Sequence, residues 1–306
     1  LQTGEETVRV NPMTGTKSAW QMSRPGHHCG NIAGAPNALF YRSGVTAYYD
    51  LQGDYGTAHF GAQRSGCWIN CIPANGLVLM PEASSGCVCP FALMCTTVFQ
   101  PRQTNRVWGM YSAEGSITPA KRLAINFGAP GDRKDAAGKL WLAYPRPYEG
   151  RLVLSLKLSE QKASGGRFYT GNADFLKVAR TKTPWVYASG CESISKFTVP
   201  LTKGGEQLKR GREEGATVPG DNKAVMYTVR LHFNESEDVA AGQRVFDVRL
   251  QGKTVLKGFD IVAAAGGTNR AVVKEFKGIR VAGRLIVEMT ASKGKARLCG
   301  VEAIRE

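Results

Sequence analysis

Histidine is scarce in this chain: four in 306 residues, at His27, His28, His59 and His232. No Gly-x-Ser-x-Gly elbow and no His-Glu-x-x-His helix occurs, so hydrolytic chemistry has no recognisable anchor. The chain is therefore expected not to be an enzyme. No Cys-x-x-Cys-His is present, which argues against covalent haem. No run of 18 apolar residues is present, so no membrane-crossing helix is expected. Helical periodicity is almost missing. Acid is also short, with 25 Asp and Glu against 40 Lys and Arg, a net charge of +15. Such a surface favours acidic partners, namely sulfated or carboxylated glycans or an anionic cell surface. Nucleic acid is disfavoured, because the basic residues are dispersed and no nucleic-acid-binding motif is visible.

What is present is alternation. Tyr227, Val229, Leu231 and Phe233 fall on one face of a strand, and Thr228, Arg230 and His232 on the other, outward face. Phe246, Val248 and Leu250 repeat the pattern, and Gln251-Gly252-Lys253 reads as the turn to a following strand. Leu285, Val287 and Met289 continue it, with Ile286 off-phase, and the last strand runs from Leu298 to Ile304. Leu152, Leu154, Leu156 and Leu158 share a face further upstream. Short strands with polar turns predict an all-β chain containing an antiparallel β-sandwich. Phe233, Phe246, Val248, Leu250 and Ile286 are the expected core, although Ile286 is off-phase with Leu285 and Val287.

Six of the eight cysteines (Cys29, Cys67, Cys71, Cys87, Cys89 and Cys95) lie in the first third; Cys191 and Cys299 are the others. Their even number and density predict disulfides and an oxidising compartment. The spacings fit no common zinc motif. The chain begins at Leu1 without a visible signal peptide, and it is expected to be a secreted, processed piece of a longer precursor.

Leu231-His-Phe-Asn-Glu235, Gln243-Arg-Val-Phe-Asp-Val248 and Arg297-Leu-Cys-Gly-Val301 resemble the core motifs of malectin domains, as do Ile125-Asn-Phe-Gly128 and Asp135-Ala-Ala-Gly-Lys-Leu-Trp141 near the domain start. The resemblance covers residues 116–306 and implies a jelly-roll-type carbohydrate-binding sandwich. Residues 1–115 read differently. Leu39-Phe-Tyr-Arg-Ser-Gly44 with Ala47-Tyr-Tyr-Asp-Leu-Gln-Gly53, then Gly76-Leu-Val-Leu-Met80, resemble blades of PQQ-like β-propellers, and Arg64-Ser-Gly-Cys-Trp-Ile-Asn70, Ile72-Pro-Ala74 and Pro81-Glu-Ala-Ser-Ser-Gly-Cys-Val-Cys89 resemble the last blades of secreted planctomycete-type propeller proteins. At about 40 residues per blade this is a partial propeller. It cannot enclose PQQ, so no cofactor is expected. A protein partner is expected to complete it: an N-terminal fragment, a second copy or another subunit.

Malectin carries adjacent aromatic rings in the loop between its central strands. Here the matching loop holds Glu237 and Asp238, with Glu235 before them and Lys295 opposite. These four residues and the rings of Trp141, Tyr144, Tyr169, Trp185 and Tyr187 are the candidate ligand-binding set. Calcium on Glu235, Glu237 and Asp238 is a minor alternative. The expected function is non-catalytic binding of a glycan, acidic by charge complementarity. Two alternatives stand beside it: a structural or assembly subunit without sugar binding, and the non-catalytic part of a larger propeller enzyme.

Overall fold

The computed structural model describes residues 4–60, 65–82, 95–101, 108–112, 116–147, 154, 156–202 and 224–306. The N-terminal strands are short. β1 (Val8–Val10) pairs with β2 (Lys17–Ala19). β3 (Ala33–Ala35), β4 (Ala38–Ser43), β5 (Val45–Asp50) and β6 (Thr57–His59) form a four-stranded antiparallel meander. β7 (Ile72–Ala74), β8 (Leu77–Met80) and β9 (Thr97–Phe99) form a three-stranded one. Each small sheet has its own core, Tyr41 and Tyr49 in the first and Val78 and Met80 in the second.

The remaining elements build the sandwich. In chain order they are β10 (Arg122–Phe127), β11 (Arg133–Lys134), β12 (Leu140–Tyr144), β13 (Ser159–Tyr169), α1 (Ala173–Leu176), α2 (Pro184–Ala188) and β14 (Gly190–Pro200). After them come β15 (Val225–Phe233), β16 (Val245–Leu250), β17 (Lys253–Phe259), α3 (Ile261–Ala265), β18 (Val272–Val281), β19 (Arg284–Lys293), β20 (Arg297–Leu298) and β21 (Gly300–Arg305). One sheet runs β11-β12-β10-β21-β15-β18 and the other β13-β14-β19-β16-β17, with β20 on β14. Pairing is antiparallel except between β10 and β12, which are parallel.

The alternating residues meet between the sheets. Tyr227, Val229, Leu231 and Phe233 of one sheet pack with Phe246, Val248, Leu250, Leu285 and Val287 of the other. Ile286, expected in the core, instead faces away from it and is only half-buried, as its off-phase position requires. Leu154 and Leu156 are buried in the same core; Leu152 lies outside the described residues. His232 departs from expectation. It does point out of the sheet, but α2 covers that face and buries it.

The first residues are stitched to the sandwich. Met13 and Tyr111 join its core. The Met13 carbonyl accepts from the Lys121 and Arg122 amides at 2.7 and 3.2 Å. Bridges link Thr57 to Met110 and Gly109 to Asp132. The buried Arg9 guanidinium binds Tyr49, Asp54 and the Ser112 carbonyl, and lies 5.0 Å from the Tyr111 ring. Charge-assisted bonds of this kind hold a buried cation in place.

The expected disulfides are not formed at Cys29, Cys67, Cys71 or Cys95, each of which is a free thiol, as are Cys191 and Cys299. Cys71 is packed with Val78 and Met80, and Cys67 Sγ accepts from Arg42 at 3.3 Å, while Cys29 and Cys95 are exposed. Cys87 and Cys89 lie outside the described residues.

Candidate ligand site

The loop after β15 begins buried and ends in solvent. Glu235 is 0% exposed and sits between two arginines. Arg244 Nε is 2.5 Å from its Oε2, and Arg297 Nη1 donates to its Oε1 at 2.8 Å. Glu237 accepts from Arg244 at 3.1 Å and from Arg297 at 2.5 Å. Glu192 of β14 binds Arg297 from the other side, and Arg167 at 3.3 Å. Burial opposes ionisation of Glu192, but the bonds from Arg297 outweigh it and hold its carboxyl below the usual carboxylate range. Three arginines (Arg167, Arg244 and Arg297) and three glutamates thus pair with one another. The carboxylates expected to meet a ligand here serve the fold instead. Asp238 stays exposed and makes no ion pair among the described residues, and Lys295 reaches only to 3.9 Å from Glu192. No group of three or more His, Cys, Asp or Glu able to hold a metal occurs among the described residues, so the calcium alternative has no ligand set there.

A second buried polar chain lies beneath α2. The Tyr187 hydroxyl is 2.9 Å from His232 Nδ1, His232 Nε2 is 3.1 Å from Glu302, and Lys139 Nζ donates to Glu302 at 2.9 Å. Burial lowers the His232 pKa below its ordinary value. Burial alone would raise Glu302, yet the bonds from His232 and Lys139 bring it down to about 2. Trp141 packs edge-on against His232 at 5.1 Å. Trp141 and Tyr187, expected as sugar platforms, are therefore core residues. Tyr144 is engaged with Glu160, and Tyr169 carries the Arg297 guanidinium 4.9 Å from its ring.

The remaining candidate, Trp185, lines an open groove of about 720 Å³. Its indole meets Trp108 edge to face, with centroids 5.6 Å apart and planes at 87°. The Arg133 guanidinium lies over both rings, 4.8 Å from Trp185 and 5.1 Å from Trp108. Lys182 and Asp174, of opposite charge, also line the groove, with Gly171 and Asn172. Local sequence builds it: Pro184 opens α2 and so fixes Trp185, while the Asn172 side chain caps α1 by accepting from the Asp174 amide at 2.9 Å. Gly131 has no side chain, which lets Trp108 approach; a Cβ there would meet Trp108 Cβ at 3.3 Å. Lys182 is exposed and makes no ion pair among the described residues. An arginine held over two indole rings is a cation–π arrangement; Trp185 itself is only 6% exposed, so the half-buried Trp108 is the ring that stands beside this charge at the groove. Sequence reasoning missed Trp108, Arg133 and Lys182. The available signal was a lone tryptophan, Trp108, in a stretch that otherwise reads as linker.

Comparison with known proteins places this geometry in context. A segment of 75 residues, 22% of the chain, is 41% identical to a probable leucine-rich repeat receptor-like serine/threonine-protein kinase of Arabidopsis thaliana, of which it spans only 7%. Among solved structures, the ANXUR2 extracellular domain from Arabidopsis thaliana is similar at 17% identity and a TM-score of 0.42, over 60% of this chain and 48% of that one. A β-glucuronidase 2 of Bacteroides uniformis is similar at 14% identity and a TM-score of 0.42, over 69% of this chain and 24% of that one. Within the chain, residues 218–302 match the family model of the malectin domain.

Proposed function

We propose that the chain is a non-catalytic, extracytoplasmic binding module whose ligand is a glycan, and that the groove between Trp108 and Trp185 receives it. One observation carries this reading: two edge-to-face indoles with Arg133 over both, and the exposed Lys182 at the rim. Sugar C–H faces are apolar and suit an indole, and a cationic rim suits a carboxylate or sulfate substituent. The match of residues 218–302 to the malectin domain supports the same class of ligand. The division near residue 115 belongs to this proposal: a sandwich that binds, and N-terminal sheets that brace the groove through Trp108. A glycan array comparing the wild type with Trp108→Ala tests it. Binding of uronic-acid or sulfated oligosaccharides, weakened about tenfold in the variant, is expected, which corresponds to about 1.4 kcal/mol. An array on which no glycan binds, or equal binding by both proteins, overturns it.

A second reading, an assembly subunit, is favoured by different residues. Trp68 is 74% exposed, and Ile72 and Val98, on β7 and β9, are 45% and 52% exposed. Such an apolar cluster on strand edges suits a partner that covers it. Light scattering after size exclusion decides: a particle heavier than 33.1 kDa supports this reading, and a monomer that stays soluble removes it.

A further inference from the structure

We propose that the open face of the β7-β8-β9 sheet docks one further antiparallel sheet of the same repeat, carried by a partner chain. The proposal rests on the assembly reading above and names the chemistry of the partner. The two small N-terminal sheets follow one pattern. In the first, Ala33 pairs with Phe40, and Phe40 with Tyr48. In the second, Ile72 pairs with Leu79, and Leu79 with Val98. Ile72 and Leu79 stand 39 residues after Ala33 and Phe40. Directly opposed residues of neighbouring strands share a face. Each sheet therefore has a first face, Ala33-Phe40-Tyr48 or Ile72-Leu79-Val98. Each also has a second face, with Leu39, Tyr41 and Tyr49 in one sheet and Val78, Met80 and Phe99 in the other.

The sheets stack in one direction. Trp20 and Met22 cover the second face of the first sheet, packing with Tyr41, Ala47 and Tyr49. The first face of that sheet covers the second face of the next: Ala33 and Phe40 pack with Cys71, Val78 and Met80. The Phe60 ring, 5.1 Å from Tyr48, stacks on Phe99 at 4.4 Å in the same layer. The first face of the second sheet has no such cover among the described residues. Ile72 and Val98 are 45% and 52% exposed, and Leu77 and Leu79 are half-buried. Scattered apolar residues are ordinary on a surface, but a register-aligned apolar row marks an interface. The stacking already present says what fits it. The occupant offers a second face, with two apolar side chains alternating on a middle strand and a third opposed to one of them, as Val78, Met80 and Phe99 do. That face is uncharged, because residues 65–81 and 95–101 hold no Asp, Glu, Lys or Arg to pair with a charge buried there. A second copy of this chain does not supply it. Its own second faces are taken, one by Trp20 and Met22 and the other by the first sheet. Contact between unlike faces is heterologous, and a net charge of +15 repels a like chain.

The test expresses the full chain in its source cells with Val98 replaced by a photo-cross-linking phenylalanine analogue, and identifies the cross-linked peptide by mass spectrometry. A peptide of another protein is expected, with alternating apolar residues and no charge along the linked strand. The native particle is then sized by light scattering for the wild type, Val98→Lys and Val273→Lys. Val273 is a control, 45% exposed on the sandwich strand β18. Val98 points away from the Val78 and Met80 core of its own sheet, so the lysine variant keeps its fold. Val98→Lys should lose affinity for the partner at least tenfold, and Val273→Lys should match the wild type. The proposal is overturned by a cross-linked peptide from this chain itself, by a charged or helical partner peptide, or by no cross-linked product. It is also overturned by a particle whose mass Val98→Lys leaves unchanged. In that last case a particle heavier than 33.1 kDa still supports the assembly reading while this surface is lost, so the two failures are told apart.

Discussion

Arg297 donates to Glu235 at 2.8 Å with both side chains withdrawn from solvent, and this pair joins the last strands to the loop after β15. The same arginine also holds Glu192 and Glu237. An ion network of this kind fixes the loop; removing Arg297 leaves three acids to share the remaining cations, with Glu235 fully buried against Arg244 alone.

Arg297→Met is therefore expected to cost about 3–5 kcal/mol, because Glu235 loses a partner where water cannot replace it. Denaturant melts check this. Combining Arg297→Met with Glu235→Gln should recover part of the loss, since the stranded charge is gone. A single variant as stable as the wild type would mean that the network contributes nothing.

Acid should destabilise the fold in two steps. His232 has a lowered pKa when folded, so the unfolded chain binds more protons below about 6.5 and stability falls as pH drops through that value. Glu302 is held at about 2 against an ordinary 4.5, so its contribution is present above 4.5 and is lost as pH falls towards 2. The second step amounts to about 3 kcal/mol. Melts of His232→Gln should lack the first step and show a smaller second one, because the bond from His232 is one of the two that lower Glu302. A wild-type profile flat from neutral pH to 4 contradicts the assignment.

Phe246 is fully buried, with its ring 6.0 Å from Phe233 and 5.5 Å from Phe259. Phe246→Ala should cost about 3–5 kcal/mol. Ile286→Ala, on the opposite face of its strand, should cost far less. Urea melts giving the two variants equal losses would mean that the faces are exchanged.

The alternation of Tyr227 to Phe233 and of Val245 to Leu250 made the sandwich readable, because a strand with one buried face writes its register into a two-residue period. The parallel pairing of β10 with β12 left no such trace, since parallel and antiparallel partners ask for the same apolar residues. The charged loop misled for a related reason. Glu235 and Glu237 look like solvent carboxylates until Arg297, some sixty residues away in sequence, is brought against them. Trp108 gained its meaning only when the fold set it beside Trp185.

The thiols give an independent check on the N-terminal sheets. Brief alkylation of the native protein should label Cys29 and Cys95, which are exposed. Burial pushes the Cys71 and Cys299 thiols up to about 11, and these should react only on unfolding. Mass spectrometry showing Cys29 or Cys95 blocked in a disulfide would contradict the arrangement described.

The groove is the central claim, and calorimetric titration with an acidic oligosaccharide tests it most directly. Lys182→Gln removes the exposed cation without touching the core. It should weaken a uronic-acid oligomer about tenfold while leaving its neutral counterpart unchanged, the difference shrinking as salt rises. Identical affinities of the wild type and Lys182→Gln for the acidic oligomer at low salt would contradict the account.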